Sequence, residues 1–291
     1  MNAKEAKKNL KLSSSWDEFC DALKEAGSLI ENKKSEESSL DMSEGYRYLT
    51  RLLRVGLEMS IERNDPSFPE LYALCHETSK FGGDNPDNLY QNATLDGSLS
   101  YKIWGNKGTV HYLSFITNAN RFAEDGTMTK TGELETDDMI FDEDGNFEIQ
   151  LNLSSTEKNW LPMESSTNLL VVRQTFLDKE KEVPAIINIK CLDGKEKPSK
   201  LSSQEIDIGL KKAVNFVKGT AGIFKNWTEL YNKKPNQFSS TEQEMYLKAG
   251  GDPSIHYLYG HWKLNEGQGL VIKTEIPKCQ YWNFHLNNHW L

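Results

Sequence analysis

Between residues 89 and 191 the chain is a series of short β-rich runs separated by turn residues, and this pattern limits the fold more than any other feature. Turn clusters such as GGDNPDN at 82–88 and DEDGN at 142–146 separate the runs. Because no helical periodicity lies between the runs, they predict an antiparallel sandwich rather than a parallel sheet. The predicted strands are 89–94, 99–104, 109–117, 137–141, 147–153, 168–177 and 183–191.

Helical patterns flank this β region. An SWDE capping box predicts a helix over 16–31, and leucines at helical spacing predict a second helix that reaches Ile61. An SSQE capping box predicts one long helix inserted at about 202–232. The sequence therefore predicts a mainly β fold with α, in which an N-terminal helical region (1–80) precedes a β-sandwich domain (81–291).

Charge and hydropathy exclude several classes of protein. The 291 residues carry 34 Lys and Arg against 43 Asp and Glu, a net charge of −9, which disfavours binding to nucleic acid or to anionic membranes. The chain contains neither an apolar run of about 18 residues nor a secretory signal, so we expect a cytoplasmic protein. The acidic stretch 124–148 is interpreted as a solvated edge.

The C-terminal region contains three further predicted strands, at 255–264, 269–276 and 280–291. In the last of these, alternate residues would lie on opposite faces of a strand. One face is apolar and is expected to point into the core: Trp282, Phe284, Leu286 and Trp290. The other face is expected to line a site for a polar ligand, or else to be a solvated outer face: Tyr281, Asn283, His285, Asn287 and His289. The last strand ends the chain without a turn, so we expect a sandwich that is incomplete at its C-terminus.

The histidines near the C-terminus do not fit a metal site. In a strand, His285 and His289 would lie about 13 Å apart, which is too far to share one ion. The cysteines form no CxxC pair. We therefore predict no metal and no cofactor.

Arg173 is the most informative charged residue, because it lies in the apolar run LLVVRQTF. Strand alternation places it on the face opposite Val172, where an arginine pairs with a carboxylate or meets an anion. The common hydrolase, nucleotide-binding and zinc-protease motifs are absent. The candidates for catalysis are therefore His285, His256 and Arg173.

Several stretches resemble the bacterial proteins of domain-of-unknown-function family 1214. They are GGDNPDNLYQNATLDGSLSYKIWGNKG (82–108), NWLPMESSTNLLVVRQTF (159–176), GGDPSIHYLYGHWKL (250–264) and CQYWNFHLNNHW (279–290). The resemblance implies a jelly-roll-like β-sandwich but no mechanism, and it implies relatives that continue past Trp290. It also implies that polar residues of these stretches line a site: Asp84, Asn85, Asn88, Tyr90, Arg173, Asn283, Asn287 and Asn288.

Three functions remain open on the sequence. The first is binding of a polar or anionic small molecule, sugar-like or an organic acid, on the face that carries Tyr281, Asn283 and His285, with Arg173 as the charged anchor. The second is a metal-independent enzyme of secondary or xenobiotic metabolism, with a histidine as general base and Arg173 stabilising an anionic intermediate. The third is an interaction domain that pairs through its aromatic edge, which includes a homo-oligomer.

Overall fold

The computed structural model describes residues 3–31, 39–156, 158–239 and 242–290. The helices are α1 (Ala3–Gly27), α2 (Ser39–Leu57), α3 (Phe122–Asp125), α4 (Ser203–Asn232) and α5 (Gln243–Lys248). A π-helical turn (Glu58–Glu62) continues α2, and a 3-10 turn covers Thr136–Asp138. Within the described ranges, none of these helices has the length and apolar character needed to cross a membrane.

Within the described residues, ten strands form three sheets. They are β1 (Asn88–Thr94), β2 (Tyr101–Asn106), β3 (Tyr112–Arg121), β4 (Thr127–Glu135), β5 (Asn146–Asn152), β6 (Trp160–Pro162), β7 (Leu169–Thr175), β8 (Ile186–Cys191), β9 (Gln237–Ser239) and β10 (Tyr259–His261). The first sheet has the order β1-β7-β3-β4, the second has the order β6-β5-β2-β8, and β9 pairs with β10. All pairs are antiparallel except β5 with β6.

The two four-stranded sheets face each other around one apolar core, as strand alternation requires. Phe115 of β3 meets Phe147 of β5 across the sandwich, with ring centroids 5.7 Å apart. Val172 points into this core, and the next residue, Arg173, points to the opposite face of the first sheet. The predicted fold class, a β-sandwich with helices and one long inserted helix, is confirmed.

The helices form a layer of their own around α4. Helices α1 and α2 both pack against α4, and Leu52 of α2 and Val217 of α4 belong to one buried cluster. The predicted cap of α4 is confirmed: the Ser202 hydroxyl accepts from the Glu205 amide, and the Glu205 carboxylate accepts from the Ser202 amide. At the predicted first cap, Ser15 lies inside α1 and its hydroxyl contacts Asp207 of α4.

Three groups of predicted strands differ from the structure. The run 137–141 is not a strand, whereas the acidic stretch interpreted as a solvated edge contains β4. The described residues of 269–276 and 280–290 form no strand, and Leu291 lies outside the described part. Of the predicted strand 255–264, only Tyr259–His261 pairs. β-rich composition alone does not form a strand, because a strand also needs a neighbour with free backbone groups in register.

Candidate functional site

The turn that precedes β1 organises the predicted site. Gly82 and Gly83 have φ angles of 73° and 65°, which glycine adopts without steric cost, so the chain can reverse direction here. The Asn85 side-chain oxygen then accepts from the Asp87 amide at 2.9 Å, and the Asn85 carbonyl accepts from the Asn88 amide at 3.1 Å. These bonds define an Asx turn at residues 85–88.

Residues 280–290, here named the C-terminal strap, run from the sandwich to the helical layer. At one end the Gln280 amide donates to Asp137 at 2.7 Å. At the other end Trp290 is buried, stacks on Tyr48 with centroids 6.0 Å apart, and occupies the space over Gly45. A Cβ added to Gly45 would lie 2.6 Å from the Trp290 ring, so only a glycine at this position lets the indole pack this closely against α2.

Between these anchors the strap hydrogen-bonds to the Asx turn through its polar face. The Asn283 amide donates to the Asn85 side-chain oxygen at 2.7 Å, and the Tyr281 hydroxyl donates to Asp87 at 2.5 Å. The Asn85 amide in turn donates to the Tyr281 hydroxyl at 3.2 Å. The structure thus brings the predicted site residues Asn85, Tyr281 and Asn283 together, and they bond mainly to one another.

The orientation expected for the strap is wrong over 281–286, whereas Trp290, also expected in the core, is buried. Trp282, Phe284 and Leu286 were expected in the core, yet they are 50%, 54% and 66% exposed. Alternation separates two faces but does not say which face points inward. Here the strap crosses a turn of polar groups rather than an apolar sheet face, so Tyr281, Asn283 and His285 are partly buried while the three apolar residues between and after them project outward.

The remaining predicted site residues differ in how far they are buried. His285 is partly buried, and burial holds its pKa below the usual value, although Asp84 and Asp87 oppose the shift. Asp84 pairs with Lys80 at 2.9 Å. Asn287, Asn288 and His256 are exposed, so the structure does not bring His256 into the cluster.

Tyr90 links the turn to the outer face of the first sheet. Its hydroxyl accepts from the Asn85 backbone amide at 3.0 Å and from the Asn88 side-chain amide at 3.2 Å. Burial raises the pKa of Tyr90 to about 12, and nearby Arg173 opposes the shift. Tyr90 is the cross-strand neighbour of Arg173, so the two side chains lie on the same face.

Arg173 pairs with a carboxylate, one of the two alternatives that its sequence context predicted. Its guanidinium contacts Asp252 at 3.0 Å, with side chains that are 16% and 3% exposed. Asp252 belongs to the GGDP segment and is separated from Arg173 by 79 residues, so no local pattern indicates the pair. Arg173 is therefore a neutralised cation rather than a free anion anchor.

Sequence reasoning missed an acidic cluster on the same face. The carboxylate oxygens of Glu133, Glu135 and Asp252 lie within 4.8 Å of one another. Burial raises the pKa of Glu135, and the charges of Glu133 and Asp252 contribute, while a hydrogen bond from Tyr112 opposes the shift. Strand alternation in the segment GELE (132–135) is the signal that could have placed both glutamates on one face, because Leu134 between them points into the core.

Several buried polar atoms at this face have no hydrogen-bond partner among the described residues. Such atoms cost free energy unless something pairs with them, and they are uncommon in native proteins. They come from the first sheet and the strap: Asn88 Oδ1, Ser114 Oγ, Glu133 Oε1, Glu135 Oε1 and His285 Nδ1.

No family model and no curated protein matches the chain. Among solved structures, the VPA0106 protein from Vibrio parahaemolyticus is 16% identical and has a TM-score of 0.30. The match covers 56% of this chain and 48% of that one, and this similarity is too low to indicate a shared fold. A crystal structure of an uncharacterized protein from Burkholderia cenocepacia is 40% identical and has a TM-score of 0.85. The match covers 88% of this chain and 72% of that one. The chain therefore belongs to the same protein family as this Burkholderia cenocepacia protein.

Proposed function

We propose that the protein binds a small polar molecule on the outer face of the first sheet, beside the C-terminal strap. The contact groups are the Asx turn, Tyr90 of β1 and His285 of the strap. The strap and the turn come from opposite ends of the sandwich sequence, and their hydrogen bonds bring these groups together.

One observation carries the proposal. Asn88 Oδ1 and His285 Nδ1 are both buried without a hydrogen-bond partner among the described residues. Both residues belong to the cluster around the Asx turn. The Asn88 side-chain amide donates a hydrogen bond to the Tyr90 hydroxyl, and His285 lies near Asp84 and Asp87. A ligand that donates and accepts hydrogen bonds would satisfy both atoms.

A neutral, sugar-like ligand fits this face better than an organic acid. Arg173, the expected anion anchor, is already paired with Asp252. Asp87 lies at the turn and its carboxylate accepts from the neutral Tyr281 hydroxyl, so an added carboxylate would meet like charge there. Hydroxyl groups can pair with amide and imidazole atoms, and tyrosine rings offer surfaces for stacking.

The test is a thermal-shift screen followed by calorimetric titration. The probes are glucose, xylitol and myo-inositol as neutral polyols, and succinate and citrate as acids. We expect at least one polyol to raise the melting temperature, and His285→Ala to remove that shift while Asn287→Ala keeps it. A panel in which no polyol shifts the wild type, or in which both variants respond equally, contradicts the proposal.

One observation supports the second candidate function, a metal-independent enzyme with a histidine as general base. Burial lowers the pKa of His285, which favours the neutral imidazole, the form that a general base requires. The other two catalytic candidates lose support, since His256 is exposed and Arg173 is paired with Asp252. Turnover of a bound polyol that disappears in His285→Gln supports the enzyme, and binding without turnover contradicts it.

The exposed apolar face of the strap favours self-association. Phe284 lies against Phe238 of β9, with centroids 6.5 Å apart, and both rings are about half exposed. Contiguous exposed apolar surface is typical of protein interfaces. We propose that this face packs against a second copy of the chain. Light scattering should give a dimer mass for the wild type and a monomer mass for Phe284→Ser, and a monomeric wild type at high concentration refutes the proposal.

Three finer expectations stay proposals. They are membership of domain-of-unknown-function family 1214, a jelly-roll strand order and a cytoplasmic location. The resemblance of the four quoted stretches supports the first two.

A further inference from the structure

We propose that Glu133 and Glu135 of β4, with Asp252 and Ser114, bind a hard divalent cation on the outer face of the first sheet. One carboxylate oxygen from each acidic residue already lies within 4.8 Å of the others. This cation site goes beyond the proposed small-molecule function and does not depend on it.

The fold holds the three carboxylates in place. Glu133 and Glu135 are two residues apart on one strand, so both side chains project from the same face, while Leu134 between them is buried in the sandwich core. Asp252 is held by its own loop. Its amide donates to the Tyr257 hydroxyl at 2.8 Å, and its carboxylate accepts from the Ser254 amide at 3.0 Å.

Ser114 supplies the independent observation. It is fully buried, and its hydroxyl oxygen has no hydrogen-bond partner within the described ranges. In the register of the sheet it lies directly opposite Glu135 on one side and Arg173 on the other. Its two chain neighbours, Leu113 and Phe115, point into the core, so its hydroxyl points toward the acidic cluster. An unpaired buried hydroxyl costs stability, and coordination to a cation would use it.

The charges at the cluster also favour a cation. Ion pairs join Asp252 to Arg173 and Glu133 to Lys130. Three carboxylates and two cationic side chains give a formal charge of −1 (−3 + 2) at a partly buried position.

The chemistry of the ligands selects the class of metal. Carboxylate and hydroxyl oxygens suit Mg²⁺, Ca²⁺ and Mn²⁺, whereas Zn²⁺ sites are built mainly from cysteine and histidine. The cluster contains only oxygen ligands. We therefore expect a hard divalent cation that keeps water on its remaining positions.

The test uses the full chain after treatment with chelator, with no organic ligand present. CaCl₂, MgCl₂ and MnCl₂ are titrated calorimetrically at constant ionic strength, with NaCl as the blank. We expect one equivalent of at least one cation to bind, and Glu135→Gln to weaken that binding at least tenfold. Glu143→Gln, the same change on the exposed turn 142–146, should leave it unchanged.

Two further variants keep the test decisive. If Glu135→Gln does not fold, Glu133→Gln is titrated in its place, with the same tenfold loss expected. Ser114→Ala should weaken binding several-fold and still fold, because it removes only an unpaired hydroxyl. The inference is overturned if no cation binds more tightly than Na⁺, or if Glu135→Gln and the wild type bind equally. A failed polyol screen has no bearing on either result.

Discussion

Removing the Asn85 side chain should release the strap from the Asx turn. This side chain accepts from the Asp87 amide and from Asn283, at 2.9 and 2.7 Å, and donates to Tyr281 at 3.2 Å. A hydrogen bond inside a protein contributes about 1 kcal/mol net. Because the three bonds share one side chain, we expect Asn85→Ala to lower the free energy of unfolding by about 2–3 kcal/mol.

The assay is urea unfolding followed by tryptophan fluorescence, since buried Trp290 lies at the end of the strap. Asn283→Ala removes one of the three bonds and should cost about 1 kcal/mol. Asn287→Ala is the matched control: its amide is exposed on the same segment, so its cost should stay within about 0.5 kcal/mol. If Asn85→Ala and Asn287→Ala unfold at the same urea concentration, the strap does not depend on the turn and the reasoning is refuted.

Three further predictions test the strap and the helical layer. Trp290→Ala should destabilise by about 3–5 kcal/mol because it empties a buried site, whereas half-exposed Trp282→Ala should change stability far less; thermal unfolding compares them. The pKa of His285 is lowered in the fold, so the unfolded chain takes up its proton first as the pH falls below about 6.5. The free energy of unfolding should therefore fall below that pH. Urea titrations at pH 7 and pH 5 should show a smaller fall for His285→Gln than for the wild type. Ser202→Ala should cost about 1 kcal/mol in urea unfolding, since it removes the cap of α4, and an unchanged midpoint contradicts the capping box.

Features set by neighbouring residues were predictable from the sequence. The capping box of α4 joins Ser202 to Glu205, and the turn at Gly145, with φ at 81°, lies where DEDGN predicts it. Strands β1, β2, β3, β5, β7 and β8 overlap predicted runs, because alternation and turn residues are local signals. The opposite orientations of Val172 and Arg173 follow from the same periodicity.

Features set by distant partners were not predictable in the same way. Strand β4 was missed because its acidic residues suggest solvent, and only the pairing with β3 shows that Leu134 points inward. The orientation of strap residues 281–286 was predicted wrongly because the groups they contact, Asn85 and Asp87, lie almost 200 residues earlier in the chain. Arg173 could be predicted to pair with a carboxylate, but nothing local identified Asp252.

The polar atoms buried on the outer face of the first sheet, such as the Ser114 hydroxyl, should contact a bound solute or ion. A high-resolution crystal structure would show this in the electron density beside Ser114. We expect a non-protein group other than water within bonding distance of Ser114 Oγ and Glu135 Oε1. Density showing that both atoms bond to protein groups or to water alone would contradict this expectation.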